Sequence, residues 1–389
     1  MLYDFDEVIE RRNTNSEKWD NCVPRFGSND LIPLWVADMD FKTPDFIIDA
    51  IRKRLEHEIL GYSIRPQSFY NAVQNWLRDS GWEIDPKKIS FSPGIVPAIN
   101  FAVNIFTSPQ DKILINTPIY HPFMYAINNA GRTMVKSSLV NDGNGYYTVD
   151  YDDMERKLAD GIKMFMLCSP HNPVARVWTA DELTRMAELC IKYNVLIVSD
   201  EIHSDLVFKP HKHVYLASIS DKIAQQTLTF VAPSKTFNLA GLYSSVVYSD
   251  NPELFGKFDK YVNNMSIGCG TIFGDVALEA AYTHGRNWLN QLLVYLDGNF
   301  NYVCSYLKNN IPEISTRKPE GTYLMWLDCS RLNMTSQEIH NLMVAKAGLA
   351  MNPGKIFGNE GELFLRLNAA TPRSILEKAM ANMHKAVKG

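Results

Sequence analysis

Lys235 lies just past a β-prone run at 227–231, which leads into the stretch Ala-Pro-Ser234-Lys235-Thr-Phe-Asn-Leu-Ala-Gly241. A lysine sheltered among small and apolar residues loses hydration, which lowers its pKa and favours imine formation with an aldehyde. A lone loop lysine is ordinarily surface decoration, so the reading needs partners. Asp200 ends the run 195–199. Alone it could cap a helix, but beside a cofactor lysine a carboxylate keeps a pyridine nitrogen protonated and makes the ring an electron sink. Asn172 follows the run 163–167 in Ser-Pro-His-Asn172-Pro173. That pair is first of all a turn signal, yet the amide could donate to a phenolic oxygen. Gly94, Ile95 and Val96 open a helix whose free amides suit a phosphate. Tyr120, after the run 112–115, offers an aromatic face. Each feature is weak by itself; together they supply the separate needs of one cofactor.

The elements that must position these residues are legible in outline. Runs at 112–115, 133–136, 163–167, 195–199, 227–231 and 245–248 are β-rich, and helical stretches at 119–130, 179–193 and 253–263 lie between them. This βαβ rhythm predicts an α/β fold with a mainly parallel sheet of the seven-stranded type flanked by helices. In such sheets ligands sit outside the carboxyl ends of the strands, which is where the singled-out residues fall. After Arg286 a long helical run to about 309 leads to strands near 321–328 and 362–368 and helices at 336–347 and 372–387, a smaller α+β domain. The expected division is a segment 1–45 packing with the small domain, a large domain 46–285 and a small domain 286–389. The helices flanking 285 could be continuous.

Bulk properties narrow the function class. A chain of 389 residues with 46% apolar content has ample material for such a core. Net charge is −4 and the basic residues are scattered, which argues against nucleic-acid binding. The acidic start Met-Leu-Tyr-Asp-Phe-Asp and the absence of a long apolar run predict a cytoplasmic protein with no membrane association. Cys22, Cys168, Cys190, Cys269, Cys304 and Cys329 show no close pairing and read as small core residues rather than disulfides or metal ligands, and no metal is expected.

The order Gly94, Tyr120, Asn172-Pro173, Asp200, Ser234-Lys235 and Arg366 resembles fold-type I pyridoxal-phosphate enzymes of the class I/II aminotransferase superfamily over nearly the whole chain. Within it, Lys18-Trp19-Asp20, Leu34-Trp35-Val36-Ala37-Asp38-Met39-Asp40-Phe41, Tyr120-His121-Pro122 and Asp200-Glu201-Ile202-His203-Ser204-Asp205 resemble the MalY/PatB group of cystathionine β-lyases. The resemblance implies pyridoxal 5′-phosphate held by Lys235, which also moves the Cα proton. It implies Asp200 at the pyridine nitrogen, Asn172 at the phenolic oxygen, Tyr120 on the ring and the Ile95 and Val96 amides at the phosphate. It further implies Arg366 on the substrate carboxylate, with Asn172, Tyr120 and Ala37 also facing the small amino-acid substrate. Tyr62 would reach the phosphate of a neighbouring subunit, giving a homodimer with shared sites.

Three departures stand out. Tyr243 occupies the place, eight after the lysine, where many aminotransferases carry a phosphate-binding arginine. His203 replaces the usual tyrosine three after the aspartate, and Ala175 stands where Asn-Pro-Xaa-Gly has glycine. The implied activity is carbon–sulfur β-elimination from cystathionine or a related cysteine S-conjugate, giving a thiol, pyruvate and ammonia. An aminotransferase shares every step up to proton removal and is the alternative; a lyase with an added partner-binding regulatory role is a third reading that nothing in the sequence marks.

Overall fold

The computed structural model describes residues 2–389. Among them, seven strands form the central sheet: β1 (Ile89–Ser92), β2 (Lys112–Thr117), β3 (Thr133–Ser138), β4 (Ile162–Cys168), β5 (Leu196–Asp200), β6 (Thr227–Val231) and β7 (Ser245–Tyr248). Their spatial order is β1-β7-β6-β5-β4-β2-β3, with β7 antiparallel to both neighbours and the other adjacent pairs parallel. The expected α/β architecture is therefore present.

The strand sequences explain why both faces are covered. In β2, Ile113 and Ile115 face one apolar cluster, containing the helices Ile95–Phe106, His121–Asn129 and Pro252–Asn264, while Leu114 faces another, under Tyr151–Leu158 and Ala180–Lys192. Residues alternate sides along a strand, so a near-continuous apolar run is buried on both faces. The helix Ala180–Lys192 is set by a capping box: the Thr179 side chain accepts from the Glu182 amide, and Glu182 reaches back to the Thr179 amide.

The antiparallel β8 (Ser315–Thr316), β9 (Leu324–Asp328), β10 (Asn352–Pro353) and β11 (Phe364–Asn368) make a smaller sheet in the order β8-β9-β11-β10. The helices Arg286–Asn310 and Arg373–Lys388 pack against the same large apolar cluster. The N-terminal stretch joins them, since Ile32 and Pro33 pair with Leu349 and Ala350, and Phe5 packs edge-on against Phe41 and Trp288.

Several local expectations need correction. Strand β1 was not evident, because Ile-Ser-Phe-Ser is half serine; it is recruited by pairing with β7. The helices around 285 are not continuous: one ends at His284 and the next begins at Arg286. A Cβ at Gly285 would collide with the Phe237 ring, so the junction sits directly on the loop that carries Lys235. The helix expected at 336–347 is α-helical only over Ser336–Asn341 and widens into a π turn at Leu342–Lys346. Cys269 is exposed rather than a core residue, and Cys304 is only partly buried. Among the described residues no helix is long and apolar enough to cross a membrane.

Candidate active site

At the carboxyl ends of β4, β5 and β6 lies a cleft of about 190 Å³. Register places Cys168 beside Asp200, so the last residues of the neighbouring strands β4 and β5 line it side by side. Lys235 enters from the loop after β6, Asn172 from the loop after β4 and Tyr120 from the turn after β2, and His203 follows β5. Gly94, Ile95 and Val96 line it at the start of the helix Ile95–Phe106, and Ala37 closes it from the N-terminal stretch.

The electrostatics are unusual for each charged group. Burial lowers Lys235 to about 8, against an opposing pull from Asp38. Asp200 is raised to about 7 by burial, although its Oδ1 accepts the Ile202 amide at 3.1 Å. Burial lowers His203 to about 3, so the imidazole is neutral, and its Nδ1 has no hydrogen-bond partner. Tyr120 is raised, again by burial.

Arg366 is buried rather than a charge on a strand edge. Its Nη1 donates to Asn172 Oδ1 at 3.1 Å, its Nη2 to the Trp35 carbonyl at 2.9 Å, and its Nε is unpartnered. Burial lowers it to about 10. It contacts Asn172, which lines the cleft, but is not itself among the lining residues. Tyr62, in contrast, is fully exposed and takes no part in lining its own chain's cleft. Tyr243 lines the cleft with φ +51°, at the position expected for arginine in many relatives of this type. Ala175 has φ +58°, the left-handed conformation its glycine-like place requires, and its carbonyl accepts the Glu320 and Gly321 amides.

Sequence reasoning missed how residues 35–39 are held. Five successive carbonyls accept from buried or half-buried side chains: Trp35 from Arg366 and Asn352, Val36 from Asn368, Ala37 from Lys235 and Tyr323, Asp38 from Asn368 and Lys18, and Met39 from Asn238 and Arg11. The donors come from the smaller sheet and the residue before its strand β9, from the loop after β6 and from the N-terminal stretch. The motif Lys18-Trp19 gains a reason too: Lys18 Nζ lies 2.6 Å from Asp40 Oδ2, and Trp19 Nε1 donates to Asp40 Oδ1 at 2.9 Å. Burial alone would raise Asp40, but the Lys18 ammonium, Trp19 and Arg11 hold it below the usual carboxylate range. Tyr323 lies in Gly-Thr-Tyr, which carries no spacing signal, so only the fold brings it to the site.

These residues fit pyridoxal phosphate. A buried carboxylate with no cation hydrogen-bonded to it suits a protonated ring nitrogen. The helix start at Gly94 has no side-chain cap, leaving its first amides for an anion. A lysine near 8 suits condensation with an aldehyde.

The family model described as aminotransferase class I and II matches residues 29–382. The chain belongs to that family. Among family members it is similar to cystathionine β-lyase PatB of Bacillus subtilis, 38% identical over 98% of this chain and 99% of the relative. It is similar in structure to cystalysin from Treponema denticola, which contains pyridoxal 5′-phosphate, with a TM-score of 0.97 and 37% identity over 100% of this chain and 99% of the other. A pyridoxal-phosphate-bound putative aminotransferase from Clostridium difficile superposes with a TM-score of 0.98 at 43% identity, over 99% of this chain and 100% of the other.

Proposed function

We propose that this family member is a pyridoxal-phosphate-dependent carbon–sulfur β-lyase, which with one water converts cystathionine or a related cysteine S-conjugate to a thiol, pyruvate and ammonia. The observation that carries the reading is the placement of the Lys235 amine, brought near neutrality, in one cleft with Asp200, with the buried Arg366 behind Asn172. Full-length similarity to PatB and cystalysin favours the lyase over an aminotransferase.

When bound, the cofactor supplies an electron sink for the charge left at Cα. Lys235 would hold it covalently and, once free, take the Cα proton on Nζ; a value near 8 keeps enough amine unprotonated at neutral pH for this task. Asp200 would hold the pyridine nitrogen, and Asn172, with neutral His203 close by, the phenolic oxygen. The amides of Ile95 and Val96 would hold the phosphate. Tyr120 would cover the ring. Arg366 would take the substrate carboxylate, with Asn172 Oδ1 and the Trp35 carbonyl keeping the guanidinium aimed. Ala37 would border the substrate.

The same reading includes a homodimer with shared sites. Ile59, Leu60, Tyr62 and Ile64 form an exposed apolar arm, and Tyr62 is the member that would reach the partner's phosphate. Arg65 anchors the arm through the Gly268 carbonyl at 2.7 Å and Asp275 at 3.2 Å. A cytoplasmic location accords with six free thiols.

The test is incubation of the purified, cofactor-loaded protein with L-cystathionine and no keto acid. Pyruvate release supports the lyase. Its absence, beside glutamate-dependent amino transfer, assigns the aminotransferase reaction instead. Borohydride reduction and peptide mapping identify the residue that holds the cofactor.

A further inference from the structure

The Ala37 carbonyl accepts two hydrogen bonds, from Lys235 Nζ at 2.6 Å and from the Tyr323 hydroxyl at 2.8 Å. Tyr323 is 1% exposed, so its hydroxyl does not exchange this acceptor for bulk water. The carbonyl itself is fixed independently of Tyr323. Its neighbours Val36 and Asp38 are held by Asn368 at 2.6 Å each, and Met39 by Asn238 at 2.9 Å. A carbonyl oxygen has two lone pairs, and electron density drawn by one donor is less available to the other. A cation gains more from this acceptor than a neutral amine does, so the hydroxyl's share falls mainly at the expense of the ammonium form.

We propose that Tyr323 is a positioning residue that occupies one lone pair of the Ala37 carbonyl, loosening that carbonyl's hold on protonated Lys235 and keeping the amine free to react. The proposal rests on Lys235 being the cofactor lysine. Besides Tyr323, the titratable and charged groups that act on this amine or share its cleft are Asp38, Asp200, Arg366, His203, Tyr120, Cys168 and Tyr243. Removing one oxygen from Tyr323 leaves all of these side chains in place, although Asp38, Arg366 and Tyr120 also interact electrostatically with its hydroxyl, and a phenylalanine keeps the edge-on packing against the His203 ring, now at 5.9 Å between centroids.

The test uses the full chain stripped of cofactor, as wild type and as Tyr323→Phe. The rate at which each captures pyridoxal phosphate, the amine condensing with the aldehyde and one water leaving, is followed by absorbance across pH. The midpoint for Tyr323→Phe is expected to move to the alkaline side by about half a pH unit, slowing capture about threefold at neutral pH. Asp38→Asn, which removes a carboxylate favouring the ammonium, is expected to move it to the acid side and so shows that the readout follows Lys235. An unchanged midpoint for Tyr323→Phe, or an acid displacement, overturns the proposal. Peptide mapping after borohydride keeps the two ideas separate: label on another residue defeats the functional reading, whereas label on Lys235 in both proteins with coincident pH profiles defeats only the role of Tyr323.

Discussion

Arg366 and Asn172, which are 194 positions apart in the chain, meet through a 3.1 Å hydrogen bond from Nη1 to Oδ1. The arginine lies on β11 of the smaller sheet and the asparagine in the loop after β4 of the larger one, so a single contact ties the proposed carboxylate-binding group to the proposed cofactor-binding group. A lysine keeps the charge but not the planar fork that serves Asn172 and Trp35 together. Arg366→Lys is expected to lower kcat/KM for pyruvate formation by about 100-fold, chiefly through KM. Unchanged steady-state kinetics would remove Arg366 from the substrate site.

Asp200 predicts a pH effect on the cofactor-free protein. Its folded value of about 7 lies above its ordinary value of 3.8 because of burial. The stability contributed by the protonated form is therefore fully present below about pH 4 and is lost as the pH rises through about 7. Asp200→Asn lacks this titration. Chemical denaturation at several pH values should find the variant gaining on wild type across that window by up to about 4 kcal/mol, with parallel curves as the contrary result. Loading with the cofactor should reduce the difference, since a cationic ring favours the carboxylate.

The extent to which this site was readable in the sequence follows from where information is stored. Lys235, Asp200, Asn172 and Tyr120 each sit just past a β-rich run, so short-range pattern and the rule for ligand placement in parallel sheets locate them together. The clamp on residues 35–39 was invisible, because a backbone carbonyl has no residue identity and its donors Arg366, Asn368 and Tyr323 come from the far end of the chain. Strand β1 was hidden for a related reason: its serines acquire β structure only from the neighbouring β7. Position 269 illustrates the opposite failure, where a residue type that is usually buried lies on an exposed loop.

Tyr62 is exposed on its own chain, and complementation tests whether it serves another. Lys235→Ala and Tyr62→Phe proteins should each be impaired, whereas in the proposed homodimer a mixed dimer contains one intact site if Tyr62 crosses over. Equal co-expression is expected to restore about a quarter of wild-type pyruvate formation, from the half of dimers that are mixed with one good site each. No restoration in purified mixed dimers assigns Tyr62 a role away from the partner's cleft.

Ala175 adopts φ +58° immediately before buried Arg176, within the loop that carries Asn172. A side chain in this conformation costs roughly 1 kcal/mol, partly offset in any glycine replacement by the freer unfolded chain. Ala175→Gly is expected to raise stability by up to about 0.5 kcal/mol in urea unfolding. A clear loss of stability would argue that the methyl group, which is 4% exposed overall with its residue, packs well enough to outweigh the backbone term.

The ribbon from Trp35 to Met39 engages its donors mainly through main-chain oxygens, and of its side chains Asp38 adds a carboxylate to Arg11 and Lys18. Sequence drift at its positions other than Asp38 thus leaves the main-chain lacing intact, while gain or loss of one amino acid would offset each later oxygen from its donor. Its length, more than its spelling, is what the cleft depends on.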